Sequence, residues 1–162
     1  MRFVNPEDEM KTDTRLKPGL CNCLALRQAS RHVTQFYDQF LAAAGLRTTQ
    51  FSILARLRRL GPMTISVLAA DLVMDRTTLG RNLQPLEREG LVAVVKGRED
   101  RRSREIRLTE AGVERLRAAV EGWLKAQAGF EGVFGQQRSA ELRALLHAVS
   151  ASQLQVLAVR GP

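Results

Sequence analysis

Residues 64–109 read TISVLAADLVMDRTTLGRNLQPLEREGLVAVVKGREDRRSREIRLT, and their reading decides the fold. Thr64 precedes a short amphipathic run, ISVLAADL, and Asp75 precedes a second, RTTLGRNLQPLEREG, with only Val73 and Met74 between them as a hinge. Ser, Thr and Asp favour the position just before a helix, so two short helices meeting at a tight turn are expected. Gly90 ends the helical period, LVAVV is β-branched, and IRL alternates, with the charged KGREDRRSRE between them. That pattern is a β-hairpin with a basic tip.

At about 100° per residue, with Leu79 at zero, Leu83 falls near 40° and Leu86 near −20°, which marks the buried stripe of the second helix. Thr77, Arg81, Gln84 and Arg88 lie on the opposite face, with Thr78 on its flank, and none is acidic. A helix fits the major groove, where Arg pairs with guanine, Gln with adenine, and a threonine methyl packs on thymine. Thr77, Thr78 and Arg81 are expected deepest, Arg76 on phosphate, and Arg88 on backbone or in solvent. In the tip, Lys96, Arg98, Arg101, Arg102 and Arg104 outweigh Glu99, Asp100 and Glu105, which suits the DNA backbone or a narrow minor groove.

Working outward, residues 1–18 are charged, hold Pro6 and Pro18 and lack an apolar period, as a mobile arm does. A first long helix is expected over Leu20–Ala44, with Leu26, Val33, Phe36 and Phe40 on its apolar side and Gly45 as its stop. Thr48 or Thr49 can cap a second helix with Phe51, Leu54, Leu57 and Leu60 inward, ending at Gly61 and Pro62. After the hairpin, Thr109 can cap a helix through Val113, Leu116, Val120 and Leu124, thinned out by Gly129, Gly132 and Gly135. Ser139 then caps a last helix with Leu142, Leu145, Leu146, Val149 and Leu157 on one face. The expected class is mainly α with a small β-wing. It comprises an arm (1–18), N-terminal helices for dimerisation and sensing (19–62), a winged helix-turn-helix (63–109) and C-terminal dimerisation helices (110–162).

The 162 residues, 44% of them apolar, are ample for a packed core. A formal charge of +8 and a pI near 10.7 suit an anionic partner. No apolar run approaches a membrane span and the N-terminus lacks a secretory signal, so a cytoplasmic protein without a membrane partner is expected. There is no Gly-rich phosphate loop and no plausible triad, which speaks against an enzyme; a thiol oxidoreductase on Cys21-Asn22-Cys23 is the one enzymatic alternative. Two Cys with only His32 and His147 elsewhere give no metal spacing, and no cofactor is expected. A winged helix that docks protein instead of DNA needs neither a basic wing nor an Arg-Thr face.

Through MDRTTLGRNLQPLEREGLV and the wing EDRRSREIRLTEAG the chain resembles the MarR family of bacterial regulators. Asp100, Arg102, Leu108, Thr109 and Gly112 fall on the family's wing pattern. The resemblance implies a homodimer with interleaved first and last helices, on a pseudo-palindromic double-stranded operator. It further implies that Arg102 enters the minor groove, oriented by Asp100, and that the protein represses until a small phenolic or carboxylate ligand, or an oxidant, respaces the reading helices.

Two sensing sites follow as expectations. Cys23 stands seven residues before Ser30 and fourteen before Tyr37, the spacing of the family's hydroperoxide-sensing branch, where Ser30, Arg31 and Tyr37 match and the branch's second tyrosine falls on Thr48. A helix N-terminus favours a thiolate, and Cys21 could resolve an oxidised Cys23, although a bridge between residues i and i+2 requires the first turn to unwind. Alternatively both are small packing residues. For an aromatic or carboxylate effector, Arg27, His32, Phe36, Tyr37, Phe40, Arg47 and Phe51 offer aromatic walls with cationic or polar hooks, although each also fits an ordinary core or surface role.

Overall fold

The computed structural model describes residues 18–97, 103–152 and 154. Its helices are α1 (Asn22–Leu41), α2 (Thr48–Leu60), α3 (Ile65–Asp71), α4 (Arg76–Arg88), α5 (Glu110–Phe134) and α6 (Gln136–Ala151). Three short strands, β1 (Met63–Thr64), β2 (Val92–Lys96) and β3 (Arg104–Leu108), form an antiparallel sheet in the order β1-β3-β2. The chain divides within α1 into two compact units, residues 1–36 and 37–162. In the first unit, the start of α1 is exposed from Cys21 through His32.

The second unit is held by leucine. Leu41, Leu54, Leu68, Leu79 and Leu86 are wholly buried, joined by Ile53 and, from the sheet, Val92 and Ile106. Each such side chain removed from water contributes roughly 2 kcal/mol. Val92 pairs with Leu108 and Lys96 with Arg104, and Met63 of β1 lies opposite Ile106. The sequence reading missed β1, because two residues carry no alternation; what makes them a strand is the free edge of β3.

Several ends differ from expectation. The first helix is α only to Leu41, after which Ala42–Ala44 tighten into a 3-10 turn and Gly45 reverses at φ +67°. The helix buries Tyr37 and Leu41, whereas Leu26 is exposed and Val33, Phe36 and Phe40 are half-buried. Neither Thr48 nor Thr49 precedes α2: Thr48 is already its first residue. Its N–H and hydroxyl both donate to Asp38 Oδ1, at 2.7 and 2.6 Å, so the cap comes from α1. Leu60 is half exposed, and Ile53 takes the inward place. Gly129 and Gly132 do not interrupt α5, since one residue's propensity of about 1 kcal/mol is outweighed by the helix around it. Ser139 lies inside α6, buried, its hydroxyl donating to the Gly135 carbonyl at 2.7 Å, and Gly135 itself precedes the helix.

Other caps fall where the sequence puts them. The Thr64 hydroxyl accepts the Val67 N–H, and the Thr109 hydroxyl accepts the Gly112 N–H at 3.0 Å while donating to the Gly90 carbonyl. The hinge between α3 and α4 is closed by Met74 N–H on the Ala69 carbonyl at 2.8 Å. Val73 takes φ +52° there, a conformation that disfavours a β-branched residue.

Candidate nucleic-acid interface

Asp75 starts α4. Its carboxylate accepts the Thr78 N–H at 2.8 Å and the Thr78 hydroxyl at 2.7 Å. These bonds, the hydroxyl's first, hold the Asp75 carboxyl below its ordinary value. Leu79, Leu83 and Leu86 are buried as the periodicity demands, which turns the other side of the helix outward. Arg76, Thr77, Thr78, Arg81, Gln84 and Arg88 are all exposed. None of these three arginines has an ion-pair partner among the described residues. Cations without a protein partner on a fixed helix face are available to phosphate or to a guanine edge.

Thr78 differs from the rest of the face. Its hydroxyl donates to Asp75, and its carbonyl accepts from Asn82 Nδ2 at 2.8 Å. Sequence spacing placed Thr78 on the flank of the face; that Asp75 holds its hydroxyl is visible only in three dimensions.

The wing rises beside this helix on β2 and β3, and Gly97 N–H donates to the Ser103 carbonyl at 2.9 Å where the tip begins. Lys96 and Arg104, paired across the strands, are both exposed. Arg98, Asp100, Arg101 and Arg102 lie outside the described residues.

The sensing candidates divide between the two units. In the first, Cys21 and Cys23 are exposed free thiols, Arg27 and His32 are exposed, and Phe36 is half-buried. Cys21 Sγ accepts the Leu24 N–H at 3.4 Å, so this cysteine serves as the cap of α1. In the second, Phe51 stacks on Trp123 with ring centroids 6.0 Å apart. The Tyr37 hydroxyl donates to Gln127 Oε1. Burial raises the Tyr37 pKa, the Glu131 charge raises it further, and Arg143 opposes both. Phe40 is half-buried and Arg47 is exposed. Trp123, Gln127 and Glu131 stand four residues apart on one face of α5, a spacing that was legible but was not singled out by the sequence reading.

Two short amphipathic helices at a tight turn, an outward cationic face and a β-hairpin wing define the class of winged helix-turn-helix regulators. The MarR family model matches residues 46–103. The organic hydroperoxide resistance transcriptional regulator of Bacillus subtilis is 30% identical over 117 residues, 72% of this chain and 76% of that protein. The regulator PecS of Dickeya dadantii is 31% identical over 124 residues, 75% of each chain. Among solved structures, the M. tuberculosis transcriptional regulator MosR in complex with DNA is 38% identical, covers 83% of this chain and 99% of its own, and superposes with a TM-score of 0.70. The chain belongs to the MarR family and is a DNA-binding transcriptional regulator rather than an enzyme. Among the described residues no helix is long and apolar enough to cross a membrane.

Proposed function

We propose that the chain works as a homodimer on a pseudo-palindromic operator, repressing until a small aromatic or carboxylate ligand releases it. The observation that carries the DNA assignment is the outward face of α4, where Arg76, Thr77, Arg81 and Gln84 are exposed while Leu79, Leu83 and Leu86 are buried. Arg81 and Gln84 meet base edges, the methyls of Thr77 and Thr78 meet thymine, and Arg76 meets phosphate. In the wing, Arg102 enters the minor groove, Asp100 orients it, and Arg98 and Arg101 take the backbone. Residues 63–109 are then the reading domain, with 19–62 and 110–162 supplying dimerisation and sensing.

Dimerisation is supported by apolar side chains that residues 37–162 leave exposed on α5 and α6: Leu124, Val133, Leu145, Leu146 and Val149. An aromatic effector is supported by the stacked, half-buried rings of Phe51 on α2 and Trp123 on α5. Arg81→Ala and Arg102→Ala are each expected to weaken binding to the DNA upstream of the gene by about tenfold or more in a gel shift. If both variants bind as the parent does, the assigned face is wrong. For the ligand, a thermal-shift screen of aromatic acids is expected to give hits that quench Trp123, the chain's single tryptophan. Phe51→Ala should weaken those hits, and a screen without hits rejects this class.

A second reading, a thiol sensor, takes its case from the exposure of Cys21 and Cys23 and from the B. subtilis relative's name. An organic hydroperoxide would oxidise Cys23 to a sulfenic acid and leave as its alcohol. The Cys21 thiol would then condense with it, losing water, and the disulfide would unwind the first turn that Cys21 now caps. Cumene hydroperoxide should then release DNA from the parent and spare Cys23→Ser; equal release from both eliminates this reading.

A further inference from the structure

Both helices of the reading head end on a carboxylate. Asp71 is the last residue of α3, and Glu89 follows Arg88 at the end of α4. A carboxylate there faces the negative end of the helix dipole and adds negative charge to a head that must approach phosphate. Each is met by an arginine from a helix outside the head. Arg56 Nε of α2 lies 3.0 Å from Asp71 Oδ2, and Arg115 Nη1 of α5 lies 3.2 Å from Glu89 Oε2. Asp71 Oδ2 is buried and accepts no hydrogen bond among the described residues, so Arg56 meets it as a charge. Arg115 also borders Gly45, where a Cβ would stand 3.3 Å from Nη1, and so touches the turn before α2 and the end of α4 together.

Partly exposed pairs contribute little to stability, which makes stability a poor reason for two carboxylates at unfavourable helix ends. We propose that Arg56–Asp71 and Arg115–Glu89 are positioning struts that set the angle of the reading head on α2 and α5, without themselves touching DNA. This rests on the proposed role as a sequence-specific reader.

The two effects of removing a carboxylate have opposite signs. Glu89→Ala and Asp71→Ala delete a negative charge, which by electrostatics alone tightens binding to every duplex. Struts require that binding to the preferred duplex weaken. The probes are a duplex enriched from a random library by the full-length parent and a scrambled duplex of equal length, read by fluorescence anisotropy. Expected for Glu89→Ala, Asp71→Ala and Arg115→Ala is a roughly three- to tenfold fall in the ratio of enriched to scrambled affinity, at an unchanged melting temperature. The swap Glu89→Arg with Arg115→Glu, which keeps net charge, should restore most of that ratio. A ratio equal to or above the parent's in the Glu89→Ala and Asp71→Ala variants overturns the struts, as does a loss that the swap leaves unrestored. A parent that enriches no duplex overturns the reader itself, and the struts with it.

Discussion

At the residue scale, Gly112 shows how tightly the wing is joined to α5. A Cβ there would stand 2.1 Å from the Leu91 carbonyl oxygen, and the same carbonyl accepts the Thr109 N–H at 3.1 Å. The clash is with backbone, which cannot rotate aside, so Gly112→Ala is expected to destabilise by about 1–3 kcal/mol in urea denaturation. Unchanged stability would contradict this packing. Asp75 makes a prediction in pH. Its folded-state pKa is lowered, chiefly by the Thr78 hydroxyl, so the stability it contributes is fully present above about pH 4 and is lost as pH falls through the lowered value. Protection of the Thr78 amide, corrected for the intrinsic exchange rate, should therefore fall at low pH in the parent, and Asp75→Ala should show the reduced protection already at pH 7. Equal protection in both at neutral pH would remove the cap from the account. The identity of both residues was legible in sequence, Asp75 as a cap and Gly112 as part of a wing pattern. The oxygen that forbids a side chain at Gly112 was not, because Leu91 lies 21 positions away.

At the scale of elements, α4 runs through Pro85. Proline has no N–H for the Arg81 carbonyl one turn earlier, so the helix that carries the reading face gives up a bond in its interior. Pro85→Ala is expected to raise stability by about 1 kcal/mol or more, seen as a higher melting temperature. A lower one would mean that the ring's packing outweighs the missing bond. The α1–α2 junction shows the converse, a local rule overruled from a distance. Thr48 is a good capping residue by type, yet its N–H and hydroxyl are both taken by Asp38, ten positions back. Periodicity found α2, α3 and α4 because each buries leucines in the same core. It misjudged the start of α2 because the group that satisfies the Thr48 N–H came from another helix.

For the molecule as a whole, the exposed apolar residues of α5 and α6 carry the consequence. Val133 is 92% and Leu145 67% exposed, an unusual state for side chains of this kind on long helices. Leu145→Glu is expected to shift the protein from dimer to monomer in light scattering. It should also weaken operator binding by about a hundredfold, because the second half-site no longer binds intramolecularly. A Leu145→Glu protein that remains a dimer would place the interface elsewhere.

The sequence by itself determined the reading head: its helices, its hinge, its wing strands and the outward set Arg76, Thr77, Arg81 and Gln84. Those features are local, since a helical period or a strand alternation is complete within about ten residues. Tertiary structure alone decided what each exposed group is free to do. It paired Glu89 with Arg115, stacked Phe51 on Trp123 and closed the sheet with β1. Each of these joins side chains or strands across a turn or between elements, and spacing along the chain cannot state which groups folding brings within 3 to 6 Å.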